Sequence, residues 1–304
     1  MPARADSFPD RPITFVVPFA AGTATDQIAR ALGANVTEQT QQPVVIDNKA
    51  GANGFIASQQ VAKAPADGYT VLITTNTTHA ANEHLFKKLP YDPVKDFAPI
   101  TALGKGGQIM VVNPSSPATT VEQFIDMARK SPGKYSFGSG SSSSRMAGEL
   151  LQQMAGIKLL HVPYKSNTLA VTDLVGGQID MMITDTATGL PQVKSGKLRA
   201  LGMSSAKRSP LAPEVPTIAE AGVKGYEMGY WFAAYAPAKT PPAVVKRLNE
   251  LLVKAATSDA AKTSFYEPTG TEVFTTSPEE LAKFQAAESQ KWSRIVKAAG
   301  IEAE

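Results

Sequence analysis

The sequence contains no cysteine and only three histidines among its 304 residues. Without cysteine there are no structural disulfides, no zinc sites with thiolate ligands and no thiol catalysis. His79 and His84 do not have the i, i+4 spacing of a helical zinc motif, and His161 lies in an apolar run typical of a core strand. We therefore expect no bound metal.

Motifs of common enzymes are also missing. There is no G-x-S-x-G nucleophile elbow, no Walker A sequence and no G-x-G-x-x-G loop. We expect no cofactor and no catalysis. A hydrolase that uses the serine-rich segment Ser139–Ser144 remains a remote alternative.

Long apolar runs and basic clusters are absent as well. No window approaches the ~18 consecutive apolar residues of a membrane helix, and no cluster of ~5 to 8 Lys and Arg residues indicates nucleic-acid binding. The net charge of +3 is small and dispersed, and it mildly favours anionic ligands. We expect neither direct membrane insertion nor a nucleic-acid partner.

The first residues bear on localisation. Met1–Ala5 lacks an apolar stretch, but Ala3-Arg4-Ala5 has the small-x-small form that precedes signal peptidase cleavage. We expect a mature periplasmic chain from which the signal peptide is absent. The alternative is an ordinary cytosolic terminus.

Apolar β-branched runs alternate with stretches of 3.6-residue period, which predicts an α/β fold with mostly parallel sheets. The predicted strands are Ile13–Val17, Val44–Asp47, Thr70–Thr74, Lys158–Val162, Met181–Thr184 and Arg199–Met203, all read as buried. The predicted helices include Asp26–Thr37, Phe55–Ala64, Val121–Arg129 and Met146–Ala155, with two longer ones near the C-terminus.

The length suits two lobes, and parts of the chain resemble each other. Val16–Asp26 and Tyr135–Arg145 both read as strand, small-residue loop and helix start. Ile73–Thr78 also resembles Ile183–Thr188, although chance similarity of Thr-rich strand ends is an alternative. The segments Gln108–Asn113 and Trp231–Ala236 read as crossover strands and hinges. We predict one lobe from residues 1–106 and 226–304 and the other from residues 107–225.

Two loops have the composition of anion-binding helix N-termini, where small residues let a carboxylate reach unpaired backbone N–H groups. The first comprises Phe19, Ala20, Ala21, Gly22, Thr23, Ala24, Thr25 and Asp26, and the second comprises Ser139, Gly140, Ser141, Ser142, Ser143, Ser144 and Arg145. In the alternative reading Gly22 serves only the turn, Asp26 only caps or salt-bridges its helix, and the serine run is a surface loop.

Several stretches together resemble the Bug family of tripartite tricarboxylate transporter receptors. They are VVPFAAGTATDQIAR, VIDNKAGANGFIA, ADGYTVL, LPYDPVKDFAPIT, GSGSSSSRMAGELL, HVPYK, DLVGGQIDMM, GKLRALGMSSAKRSP, VPTIAEAG and KAAGIEAE, in the family's order. The resemblance implies a monomeric periplasmic-binding-protein fold of two lobes joined by crossover strands. It also implies capture of a small mono- or dicarboxylate by the loops Phe19–Asp26 and Gly138–Arg145, for delivery to membrane permease subunits.

This chain departs from the family at two loop positions. Thr23 stands where a second glycine is usual, and Arg145 stands where histidine is frequent. We expect Arg145 to bind a second carboxylate of the ligand; the alternative is that it only pairs with Glu149 on its own helix.

Further candidate ligand contacts are Thr75, Asn76, Thr77, Thr78, His79, Tyr164, Thr184, Asp185 and Thr186. His79 and Asp185 also have simpler readings, as a surface or satisfied histidine and as a solvated loop aspartate. A receptor that signals to a sensor kinase without transport is the alternative function, because both roles need the same closing motion.

Overall fold

The computed structural model describes residues 8–298 and 300–303, so the stretch Met1–Ala5 behind the export prediction lies outside the described residues. The strands of the described part are β1 (Ile13–Val17), β2 (Val44–Asn48), β3 (Thr70–Thr75), β4 (Phe97–Val112), β5 (Ser136–Ser139), β6 (Leu160–Pro163), β7 (Met181–Asp185), β8 (Arg199–Met203) and β9 (Gly229–Pro237).

The helices are α1 (Ala24–Thr40), α2 (Phe55–Ala62), α3 (Asn82–Leu85), α4 (Val121–Lys130), α5 (Ser142–Ala155), α6 (Asn167–Val175), α7 (Thr186–Lys194), α8 (Pro242–Ala256), α9 (Asp259–Ala261), α10 (Glu267–Thr269) and α11 (Pro278–Ala298). Shorter helical turns cover Ala52–Gly54, Thr77–Ala81 and Lys262–Tyr266. No helix of the described residues is long and apolar enough to cross a membrane.

The strands are hydrogen-bonded in the order β2-β1-β3-β9-β4-β7-β5-β6, and β8 also pairs with β4. β1 is parallel to β2 and β3 in one half, and β5 is parallel to β6 and β7 in the other. Since β4 pairs with β9 as far as Gly107 and with β7 from Gln108, this one strand runs through both halves.

The predicted elements are largely present, with shifted ends. α1 begins at Ala24, two residues before the predicted start, and β6 begins at Leu160 rather than Lys158. The prediction that all strands are buried is wrong for β2 and β6, which are the edges of the sheet order. Val45 is 50% exposed and Leu160 is 59% exposed, because an edge strand has a neighbour on one side only.

Helices cover the sheet with apolar stripes, and this packing fixes the position of the loops. The buried residues Val245, Leu248 and Leu252 recur on one face of α8 at helical spacing. They belong to a core cluster that also contains Ile28 and Leu32 of α1. Because both ends of the β1–α1 loop are anchored in this cluster, the loop has a defined position.

Candidate functional site

A cavity lies where the loops that follow β1, β3, β5 and β7 converge. Such positions beyond the carboxyl ends of parallel strands are where open α/β sheets bind ligands. Both halves contribute to the lining, which consists of Phe19, Thr23, Ala24, Thr25, Thr75, Asn76, Thr77, Gln108, Gly140, Ser141, Ser143, Asn167, Asp185, Tyr230 and Phe232.

The β1–α1 loop presents a helix N-terminus that has no side-chain cap. Thr23 is the N-cap residue of α1, but its hydroxyl donates to the carbonyl of Ala20 at 2.7 Å and accepts from no amide of the first turn. Gly22 has a φ of 81°, a conformation that glycine adopts without strain. The first-turn amides of Ala24 and Thr25, both lining residues, are therefore available to an anion.

A buried carboxylate holds this loop in place. Asp26 accepts hydrogen bonds from the amide of Gly22 at 2.8 Å, from Arg30 Nε at 3.0 Å and from Asn48 Nδ2 at 3.0 Å. Burial alone would raise the pKa of Asp26, but the bonds from Arg30, Gly22 and Asn48 and the charge of Arg30 lower it on balance. The geometry therefore supports the structural reading of Asp26.

The serine-rich loop is held by the hydroxyl groups of its own serines. Ser141 is the N-cap residue of α5, and its hydroxyl accepts from the amide of Ser144 at 3.3 Å. Ser144 donates to the carbonyl of Ile183, and Ser139 pairs with His161 at 2.8 Å. The serine run is thus an ordered helix start rather than a mobile surface loop.

Gly140 is required in the serine-rich loop by close packing. A Cβ at this position would lie 1.9 Å from the carbonyl carbon of Ser166, so no other residue fits without a shift of the backbone. The amide of Gly140 donates to Asn167 Oδ1 at 3.0 Å, and Asn167 Nδ2 donates to Asp185 Oδ2 at 3.0 Å. Asn167 therefore links the serine-rich loop to the strand end of β7.

Asp185 lines the cavity and also caps α7. Its Oδ1 accepts from the amide and the hydroxyl of Thr188, at 2.8 and 2.7 Å. The residue is only 8% exposed, so the reading as a solvated loop aspartate does not fit. It is the only carboxylate among the lining residues that the structure describes, and none of them is Lys, Arg or His.

Three fully buried lining residues carry side-chain oxygens without a hydrogen-bond partner in the described part of the chain. They are Asn76 Oδ1, Thr77 Oγ1 and Gln108 Oε1. An unpaired buried polar atom costs about 1 to 3 kcal/mol. Three such atoms around one cavity indicate a place for a polar ligand.

Aromatic rings form the apolar part of the wall. Phe19, Tyr230 and Phe232 line the cavity, and the Tyr230 hydroxyl lies 3.1 Å from Thr186 Oγ1 and 2.9 Å from Thr271 Oγ1. Burial raises the pKa of Tyr230 to about 12, so this hydroxyl stays neutral. The bond to Thr186 joins the end of β7 to β9.

The structure brings about half of the predicted contacts to the cavity and leaves the others outside its lining. Those outside the lining are Ala20, Ala21, Gly22, Asp26, Thr78, His79, Ser139, Ser142, Ser144, Arg145, Tyr164, Thr184 and Thr186. Several of these support the loops instead. Ser142, for example, donates to Asn82 Oδ1 at 2.9 Å and so ties α5 to α3.

His79, Arg145 and Tyr164 have other environments. His79 is fully buried and stacks on Tyr235 with ring centroids 3.9 Å apart, and burial lowers its pKa to about 3. Arg145 Nε lies 3.9 Å from Glu149 Oε1, as in the alternative reading. Tyr164 donates its hydroxyl to Asp173 at 2.9 Å.

Sequence reasoning missed four lining residues: Gln108, Asn167, Tyr230 and Phe232. Tyr230 and Phe232 are two positions apart in β9, so the alternation of a strand places them on one face. That signal was present, but nothing local indicates that this face meets the cavity. Gln108 and Asn167 join the site only through the tertiary fold.

Comparisons with known proteins agree with this architecture. The model of the Tripartite tricarboxylate transporter family receptor matches residues 28–301. The UPF0065 protein in the tcbD-tcbE intergenic region of Pseudomonas sp. is 40% identical over 297 residues, which cover 96% of this chain and 88% of the relative.

Solved structures are similar over nearly the whole chain. R. palustris Rpa4515 with adipate has a TM-score of 0.95 and 36% identity, covering 98% of this chain and 100% of that one. The periplasmic binding protein BugD has a TM-score of 0.93 and 32% identity with the same coverage. The two-lobed fold predicted from the sequence is confirmed, and the chain belongs to the tripartite tricarboxylate transporter receptor family, the Bug family.

Proposed function

We propose that this protein captures a small organic carboxylate in the periplasm, in the cavity between its two lobes. It then delivers the carboxylate to the permease subunits of a tripartite tricarboxylate transporter, and it acts as a monomer without chemistry on the ligand. The observation that carries the proposal is that two helix N-termini, those of α1 and α5, meet at one cavity whose described lining contains no cationic side chain.

This arrangement suits one carboxylate. The partial positive charge and unpaired N–H groups of a helix N-terminus stabilise an anion. The N-terminus of α1 has no side-chain cap that would compete for its amides. The cavity of Rpa4515 holds adipate, and that protein shares 36% identity with this chain, which adds support from a relative.

In this proposal the ligand closes the two lobes, residues 1–106 with 226–304 and residues 107–225. The change in the partners of β4 next to Gly107 supports the first boundary. The Ser142–Asn82 bond would join the lobes when they are closed. Only a ligand that binds the closed form better shifts this equilibrium.

One variant tests the role of the α1 amides. Ala24 is the first residue of α1, where proline is tolerated, and Thr23 has φ −72° and ψ 160°, which suit a residue before proline. Ala24→Pro therefore removes one N–H while the helix remains. We expect calorimetry to show roughly a ten- to hundredfold loss of carboxylate affinity, as for a hydrogen bond to a charged group.

Ala24→Gly is the matched control, because it also changes the side chain but keeps the N–H. It should bind within a fewfold of the wild type. Equal affinity of Ala24→Pro and Ala24→Gly would contradict a ligand held by the α1 amides. A screen in which sugars raise the melting temperature and no carboxylate does would contradict carboxylate capture itself.

A further inference from the structure

Asn76 has a fixed orientation at the cavity. Its Nδ2 donates to the carbonyl of Gly229 at 3.1 Å, and the residue is fully buried. A flip of the amide would place Oδ1 against that carbonyl oxygen, and two acceptors repel each other. The bond to Gly229 therefore fixes which atom of the amide is Nδ2 and which is Oδ1. This oxygen has no hydrogen-bond partner among the residues that the structure describes. It accepts a hydrogen bond and cannot donate one.

The charge of the cavity lining disfavours a second anionic group on the ligand. The carboxylate of Asp185 belongs to the lining, and the described lining contains no Lys, Arg or His that would balance a second anionic group. Arg145, the cation expected from the sequence to hold such a group, lies outside the lining and near Glu149. A like charge placed near Asp185 would be repelled.

We infer that the ligand carries, besides its carboxylate, a hydrogen-bond donor such as an amide, hydroxyl or ammonium group that reaches Asn76 Oδ1. The inference rests on the proposed function, since the carboxylate itself occupies the helix N-termini. Asn76 is then a specificity-determining residue. It favours a ligand with a donor over a plain monocarboxylate and over a dicarboxylate of the same length.

The physical reason is the cost of an unsatisfied buried acceptor. A site built to hydrogen-bond a ligand group rejects an analogue that lacks the group, because the protein atom is then left unpaired. A second carboxylate is worse placed, since it would set an acceptor against Asn76 Oδ1 in a cavity whose lining also contains the carboxylate of Asp185. Adipate, which Rpa4515 holds, is thus the most informative dicarboxylate to compare.

The test is calorimetry on the whole chain with ligands of matched length: adipate, its monoamide adipamate, and hexanoate, with the corresponding succinate and glutarate series. We expect the monoamide to bind roughly tenfold tighter, or more, than the dicarboxylate and the plain acid of the same length. A dicarboxylate that binds as tightly as its monoamide at every length would overturn the inference but leave carboxylate capture intact. If no ligand of the series binds, the proposed function itself fails.

Two variants test whether Asn76 and Asp185 cause this ligand preference. Asn76→Ala should narrow the gap between adipamate and hexanoate to about twofold, because the unpaired acceptor is gone. Asp185→Asn should raise the affinity for adipate severalfold, and asparagine caps helices about as well as aspartate. If Asn76→Ala does not fold, the ligand series on the wild type and Asp185→Asn still decide. An unchanged ligand ranking in both variants would contradict the assignment.

Discussion

The two loops that present helix N-termini to the cavity are held in different ways. The β1–α1 loop depends on a buried charge: Asp26 accepts from Gly22, Arg30 and Asn48. The serine-rich loop is held largely by serine hydroxyls, with Ser141 as the cap of α5. The first loop thus depends on the charge of Asp26, whose lowered pKa makes the stability of that loop depend on pH.

The largest expected effect comes from removing the charge of Asp26. Asp26→Asn should lower the free energy of unfolding by about 2 kcal/mol at neutral pH, since bonds to a charged partner are worth about 1.5 to 3 kcal/mol. The native pKa of Asp26 is lowered, so its stabilisation is present above an unfolded pKa of about 4. It is lost as the pH falls through the native pKa. Denaturation at several pH values measures the difference.

The matched control for Asp26→Asn is Asp180→Asn in the other half of the protein. Asp180 accepts from the amide and hydroxyl of Ser136, at 2.7 and 2.8 Å, and has no place in the cavity lining. It should leave carboxylate affinity unchanged, whereas Asp26→Asn should weaken it. If the difference in unfolding free energy between wild type and Asp26→Asn stays constant down to pH 2, stabilisation by the Asp26 charge is contradicted.

An intermediate effect is expected from Gly22→Ala. Gly22 has a φ of 81°, and no atom of the described residues lies within 4 Å of where a Cβ would stand, so the cost of alanine is backbone strain of about 1 kcal/mol. Relief of the strain displaces the first amides of α1, and calorimetry should show about fivefold weaker binding.

Gly133→Ala is a matched control for Gly22→Ala. Gly133 has a φ of 75°, also has open space around a Cβ, and does not line the cavity. The two variants should lose similar unfolding free energy, and only Gly22→Ala should lose affinity. Equal affinities would mean that the turn at Gly22 does not position the ligand.

The smallest effect is expected from Arg145→Ala. An i, i+4 pair such as Arg145–Glu149 is worth about 0.2 to 0.5 kcal/mol, and Arg145 is absent from the lining. Affinity for mono- and dicarboxylates should change less than twofold by calorimetry. Arg30→Ala in α1 should cost more, because Arg30 supports Asp26. A loss of ten- to a hundredfold for dicarboxylates alone would restore the recognition role expected for Arg145 from the sequence.

Local pattern determined much of this protein. The alternation of β-branched runs and helical stripes is set by the periods of strand and helix, so β1, β8 and α8 are visible before any packing is known. The small-residue loop before α1 and the serines before α5 have composition typical of anion-binding helix starts, and both loops reach the cavity. The family can also be recognised from the sequence, because its motifs occur along the whole chain.

Tertiary structure alone decided which polar side chains face the ligand and which face the core. Threonines at the end of β3 look alike in sequence, yet Thr75 and Thr77 line the cavity while Thr78 bonds to His79 behind it. Tyr230 and Asn167 come from strands and helices far along the chain. The direction of a side chain depends on which neighbour packs against it, and that neighbour is chosen by the assembled sheet rather than by adjacent residues.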